Sequence, residues 1–242
     1  MIDLVAFDLD GTLVDSAGEI SATVNDVLQF YGLPGLPEAT IRNWIGLGAR
    51  DAMARAFAHC VAMTESAVHR AQPLDATRLD PIMARFARYQ AARCGTQSRL
   101  FPKVKASLVR LRAECVNLAV VTNKEECFAR QLLDVHGLSE FFDPIVGGDT
   151  LPTRKPDPAP LRHCLEFHGI SAARALMVGD SNVDVRTARA AGVTCCVVPY
   201  GYNGGEPIAA SGPDVIIDSL EELVEFVRCG RRPRRSIGDL AY

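Results

Sequence analysis

The sequence predicts an α/β protein with a doubly wound, Rossmann-like parallel sheet as its core and an inserted α-helical cap. Three observations lead there. Short apolar runs alternate with amphipathic stretches, the pattern of strands joined by crossover helices. Several of those runs are apolar at every position, as strands covered on both faces are. Between the first run and the second, residues 16–98 read mostly as helix and contain no convincing strand.

The first strand is read over Ile2–Phe7, and it ends in Asp8-Leu9-Asp10-Gly11-Thr12, where Gly11 permits a sharp turn off the sheet. Ser16-Ala17-Gly18-Glu19 has the spacing of a capping box that would open the first inserted helix. Ala, Arg and Met dominate Asp51–His59 and Ile82–Cys94, as in helices. Beyond residue 98, Val104, Leu108 and Leu111 share one helical face, and Leu220, Leu223, Val224 and Val227 share another. The remaining strands are read over Leu118–Thr122, Ile145–Val146, Ala175–Val178, Thr194–Val198 and Val215–Ile217. The expected division is an α/β core over 1–15 and 99–230, a helical cap over 16–98 and a tail over 231–242. In that tail Arg231-Arg-Pro-Arg-Arg235 reads as a solvated terminus, with an anionic contact as the alternative.

The chain of 242 residues is 48% hydrophobic and 23% charged, which is ordinary globular composition. A net charge of −3 gives no reason to expect nucleic acid or a membrane as partner. There is no leader-like N-terminus and no apolar run near the ~20 residues of a membrane span. None of the eight cysteines forms a C-x-x-C pair, and the five histidines do not join them at zinc-ligand spacing. Free thiols in a reducing cytoplasm are the expectation. The sequence sets no oligomeric state. Lysine is scarce, with only Lys103, Lys105, Lys124 and Lys155, so each can be weighed individually.

Four strand ends carry the chemistry. Asp8 and Asp10 lie two residues apart, so they project to one side if the strand continues. Carboxylates at the end of a wholly apolar strand are costly unless a cation offsets them. Val120-Val121-Thr122-Asn123-Lys124-Glu125 offers a hydroxyl and backbone N–H groups for a phosphate oxygen, although Thr122-x-x-Glu125 also fits a capping box. Arg154-Lys155-Pro156-Asp157-Pro158 places a lysine just before a proline-started helix, where it is either a fixed charge at a pocket or a solvated side chain. Met177-Val178-Gly179-Asp180 ends a strand in an acid, and Asp184 follows; hard carboxylate oxygens suit Mg²⁺. Ser181-x-x-Asp184 also fits a helix cap, which would not exclude a role at the site. Four aspartates against Lys155 and one Mg²⁺ leave the site slightly negative, so helix N-termini and N–H donors must help attract a phosphate.

These four segments, in this order, resemble the motifs of the haloacid-dehalogenase superfamily, in the phosphatase branch with a helical cap. The likeness spans essentially the whole chain. It implies Asp8 as nucleophile, Asp10 as general acid/base, and Thr122, Asn123 and Lys155 as phosphate-binding residues. It further implies Mg²⁺ held by Asp8, by the Asp10 carbonyl and by Asp180, with Asp184 in support. The run from Gly147 to Pro160 and the segment Tyr200-Gly-Tyr-Asn-Gly-Gly-Glu-Pro207 resemble the phosphoglycolate phosphatases more closely, and Ile41–Arg50 does so loosely. The implied activity is Mg²⁺-dependent hydrolysis of a small phosphate monoester, 2-phosphoglycolate above others, through an aspartyl-phosphate. The same motifs leave room for a sugar-phosphate mutase, a pyrophosphatase or nucleotidase, and a non-catalytic phosphate-binding regulator. Asp10-Gly11-Thr12 is the phosphatase version of the motif, which argues against a dehalogenase. The absence of any lysine before Lys103 argues against a phosphonate hydrolase that needs a cap lysine.

Overall fold

Alternation along β1 (Leu4–Phe7) shows how the sheet is covered. Val5 and Phe7 point into one apolar cluster, and Leu4 and Ala6 into another. The computed structural model describes residues 1–63 and 76–229. The expectation for the tail, Arg231–Arg235 included, lies outside the described residues, as does the side chain of Cys229.

β1 sits inside a six-stranded parallel sheet of order β5-β4-β1-β6-β7-β8. The other strands of the sheet are β4 (Asn117–Val121), β5 (Ile145–Val146), β6 (Ala175–Gly179), β7 (Thr194–Val197) and β8 (Val215–Ile216). β1 pairs with β4 on one side and β6 on the other, in register Phe7 to Val120 and Phe7 to Val178. All six expected strands are present, within two residues of their expected ends. Helices α5 (Val104–Ala113), α6 (Glu126–Val135) and α9 (Leu220–Cys229) cover the Phe7 face, while α7 (Ala159–His168) and α8 (Asn182–Ala191) cover the Ala6 face. Each large side chain buried in this way contributes about 1.5–3 kcal/mol. The chain leaves β1 toward β4 and β5, then returns to β6 on the other flank. In sheets of this kind ligands bind at the carboxyl ends of strands where the order reverses.

Between β1 and β4 the chain forms the helical layer: α1 (Ala17–Phe30), α2 (Glu38–Arg42), α3 (Ala49–Met63) and α4 (Ala76–Arg93). Val24, Leu28, Ile41, Met53, Ile82 and Phe86 form a separate core there, distinct from the two that flank the sheet. The chain enters and leaves this layer through a two-stranded antiparallel ribbon the sequence did not signal, β2 (Val14–Asp15) against β3 (Arg99–Leu100). No helix among the described residues is long and apolar enough to cross a membrane. Among the described residues no cysteine forms a disulfide.

The capping box expected at Ser16–Glu19 does not form. The Ser16 hydroxyl donates to Asp10 Oδ1 at 2.6 Å. Glu19 turns away to accept from the N–H groups of Gly95 and Ser98, at 3.0 and 3.2 Å, beyond the far end of α4. The start of α1 is capped from the core instead, because Tyr202 Oη accepts from the N–H groups of Ser16 and Ala17 at 3.0 and 3.1 Å. A long-range phenol has displaced the local cap, satisfying two of the otherwise orphaned donors at a helix start.

Candidate active site

Pairing along β1 continues one residue past its end, with Asp8 N–H donating to the Val178 carbonyl at 2.8 Å. This carries Asp8 to the mouth of the sheet, 5% exposed. Gly11 then turns the chain with φ +87°, and a Cβ there would lie 2.3 Å from Asp180 Oδ2. Gly179 has the same constraint without a positive φ, since a Cβ would lie 2.3 Å from the Asp184 carboxyl carbon. The acids are packed so closely that only glycine fits between them and the backbone.

The first constellation joins Asp8, Asp180, Asp184 and Lys155. Lys155 Nζ lies 2.9 Å from Asp8 Oδ2 and 2.7 Å from Asp184 Oδ1. Asp184 Oδ2 accepts from Ser181 Oγ at 2.7 Å and from the N–H groups of Asp180 and Ser181. The expected contact between Ser181 and Asp184 at the start of α8 is therefore present, and the same carboxylate also reaches the lysine. Asp180 accepts from Thr12 Oγ1 at 2.8 Å and from Tyr202 N–H at 2.5 Å. Burial raises the Asp8 pKa to about 6, although Lys155 pulls it down. Burial also pushes Asp180 well up, helped by Asp184 and Asp8. Burial alone would lower Lys155, but Asp184 and Asp8 outweigh it and hold the ammonium well above its usual range.

These donors fit a hard divalent cation. Asp8, Asp180 and Asp184 each bring an oxygen to within 4.8 Å of the others, all buried, with one ammonium in contact. Two negative charges remain locally unbalanced, and carboxylate oxygens favour Mg²⁺ or Mn²⁺ over softer metals.

The second constellation centres on Asp10, whose side chain is 12% exposed. Its Oδ1 and Oδ2 lie 3.0 and 3.1 Å from Lys124 Nζ, and Oδ1 also accepts the Ser16 hydroxyl. Lys124 is buried; burial lowers its pKa, but Asp10 and its other neighbours raise it further. Sequence reasoning passed over Lys124, Ser16, Thr12 and Tyr202. The scarcity of lysine was a usable signal for Lys124, and Thr12 stands inside the first motif. Counting Lys124 corrects the charge balance: with one divalent cation, the four aspartates and two lysines are neutral, not slightly negative.

Asp8 and Asp10 line one cavity of about 50 Å³ together with Thr122, Asn123 and Lys124 from the end of β4. The opposite wall is helical-layer side chains, among them Ile20, Ile45 and Phe86. Thr122 sits at the strand end, and its hydroxyl accepts from Lys124 N–H at 3.3 Å. α6 begins at Glu126, so Thr122 is not its cap and the capping alternative falls away. Both Asn123 Nδ2 protons are engaged, by the carbonyls of Gly46 and Lys155 at 2.9 and 3.0 Å. Its Oδ1 is buried without a partner. Trp44, Arg42 and Arg50 do not line this cavity; Arg42 stacks on the Tyr202 ring at 4.6 Å, and Arg50 pairs with Asp80.

Residues 5–198 match the model of a family described as haloacid dehalogenase-like hydrolases. The chain is 42% identical over 219 residues to a protein of Cupriavidus necator named phosphoglycolate phosphatase, plasmid, covering 90% of each. It is 37% identical over 227 residues to the phosphoglycolate phosphatase of Vibrio parahaemolyticus, covering 93% of this chain and 96% of the relative. A solved structure from Haemophilus somnus, described as a predicted phosphoglycolate phosphatase, superposes with a TM-score of 0.86 at 34% identity, covering 93% and 97% of the two chains.

Proposed function

The chain belongs to the haloacid dehalogenase-like hydrolase family, and from that premise we propose that it is a Mg²⁺-dependent phosphatase that converts 2-phosphoglycolate to glycolate and phosphate through an aspartyl-phosphate on Asp8. The observation that carries the reading is the separation of two carboxylates on one strand end. Asp8 and Asp10 line the same cavity, yet different lysines hold them. Two acids in different settings can divide the labour of nucleophile and proton carrier.

In this reading an Asp8 oxygen attacks phosphorus, and the bond to the leaving alkoxide breaks as Asp10 gives it a proton. Asp10 then takes a proton from the water that attacks the acyl phosphate, so phosphate departs and Asp8 is restored. Lys155, the Thr122 hydroxyl and the Asn123 backbone N–H hold the phosphoryl oxygens. The Asn123 side chain could join them only by releasing one of its two carbonyls. Mg²⁺, held by Asp8, the Asp10 carbonyl and Asp180 with Asp184 in support, would screen the repulsion between carboxylate and phosphate. The helices of 16–98 act as a cap that excludes water during chemistry. A cavity of about 50 Å³ has room for a fragment of a few heavy atoms, given that one water needs ~10–15 Å³. That is in keeping with a two-carbon acid as the leaving group.

The test is phosphate release from 2-phosphoglycolate, sugar phosphates, nucleotides and pyrophosphate, each with Mg²⁺ and with a chelator. The expected result is metal-dependent preference for 2-phosphoglycolate. Preference for another ester would keep the chemistry and change the substrate. Inactivity of folded, Mg²⁺-loaded protein on the whole panel would overturn the reading.

A further inference from the structure

The cavity wall facing the strand ends contains one polar side chain that nothing so far has explained. Gln90, on α4, is 2% exposed and lines the cavity with Asp10 and Lys124. Neither its Oε1 nor its Nε2 has a hydrogen-bond partner. A buried amide left unsatisfied is costly, so its retention calls for a partner that arrives. The nearby Cys94 sulfur receives at most a weak contact from the Gln90 amide, and none that satisfies it. The thiol hydrogen goes to the Phe128 carbonyl at 3.4 Å, leaving the sulfur at most a weak acceptor.

Lys124 stands on the same cavity with donor capacity to spare. Its ammonium carries three protons, and among the described residues the one carboxylate that pairs with it is that of Asp10. Gln90 and Lys124 line the same cavity, which puts the amide and the ammonium in one neighbourhood. Two other acids nearby, Glu19 and Glu125, feel the lysine's charge but make no ion pair with it, and Glu19 accepts instead from the N–H groups of Gly95 and Ser98. Around these groups the wall is apolar: Ile20, Ile45, Ala49, Ala52 and Phe86. An amide N–H donor and a cation in an apolar pocket select a small anion over a neutral hydroxyl, because water is excluded and the charge is poorly screened.

We infer that Gln90, with Lys124, binds the carboxylate of the leaving group and thereby sets the choice of substrate. The inference rests on the reading above, in which the phosphoryl group faces Asp8 and the leaving group faces Asp10. Gln90 Nε2 donates to one carboxylate oxygen and Lys124 Nζ to the other. The phosphate end is read by strand-end residues common to any ester, so discrimination among esters falls to this amide and this ammonium.

The experiment compares kcat/KM for 2-phosphoglycolate and for 2-hydroxyethyl phosphate, in which an alcohol replaces the acid, in wild type, Gln90→Met and Gln90→Glu. Wild type is expected to prefer the acid. Gln90→Met should lower that preference about tenfold, mainly through KM for the acid, as for the loss of one hydrogen bond to a charged group. Gln90→Glu should lower it further by placing like charges together. Thermal unfolding checks that each variant is folded, and Gln90→Asn, shorter by one methylene, replaces any that is not. A preference within twofold of wild type in folded variants overturns the inference and leaves the phosphatase reading standing. A wild type with no preference for the acid overturns the substrate reading and the inference together.

Discussion

The two walls of the cavity are built on opposite principles. On the sheet side the charged groups are engaged: Lys155 bridges Asp8 and Asp184, Lys124 holds Asp10, and Thr12 and Tyr202 hold Asp180. On the helical side the wall is apolar, apart from a Gln90 amide with no partner. A wall whose acids and lysines already hold one another is ordered before any ester arrives, with one Lys124 proton and the Asn123 Oδ1 left over. A wall with one unsatisfied group in an apolar setting is where a particular ligand gains most. In the reading proposed above, the sheet wall sets the reaction type, and Gln90 of the helical wall together with Lys124 of the sheet wall sets the choice of substrate.

The sharpest way to break this contrast is Asp8→Asn, which keeps shape and removes the attacking charge. Turnover is expected to fall by roughly 10⁴-fold or more. Residual phosphate release near wild type, from a homogeneous preparation, would remove Asp8 from the role of nucleophile. A second variant probes rigidity. Lys155→Met would leave Asp8 and Asp184 buried without their shared counter-charge, and is expected to destabilise the fold by about 3–5 kcal/mol in metal-free buffer. Denaturant unfolding measures it, and a loss under ~1 kcal/mol would mean the acids have other means of neutralisation. The smallest expected effect lies away from both walls. His136 faces Ser98 Oγ at 3.0 Å, beside the segment where the chain leaves the helical layer. Burial lowers its pKa below 6.5. The folded state therefore favours the neutral ring: this contribution to stability is complete above pH 6.5 and is lost as pH falls through the lowered folded value. From pH 7.5 to 5 the stability of wild type relative to His136→Gln should therefore fall slightly, the rise expected from Asp8 being common to both; parallel profiles would mean that His136 makes no such contribution.

The sequence made one wall legible and left the other dark for a physical reason. Strand order, the all-apolar runs and the acids at strand ends follow from short local patterns, and the structure has all six strands close to where those patterns place them. The Asp8, Asp180 and Asp184 cluster was legible because each acid directly follows an apolar strand or closes the turn after it. Lys124 was harder to see, because its partner is 114 residues away and only its rarity marked it. Tyr202 was misjudged through Ser16, where a local capping pattern gave way to a donor–acceptor match 186 residues distant. Gln90 carried no signal at all. On a helix rich in Ala and Arg, a single glutamine reads as surface until the fold turns that face inward.

Asn123 holds both walls with one nitrogen, donating to Gly46 on the helical side and to Lys155 on the sheet side. Only the first of these bonds crosses the gap. A net hydrogen bond is worth about 0.5–1.5 kcal/mol, so severing it alone shifts an opening equilibrium by a factor of roughly 2–13. The second bond keeps the amide aimed while the first is broken, so reclosure does not have to search for its orientation. A fastener this light would let small products leave quickly, and a few new contacts from an arriving ligand would suffice to draw it shut.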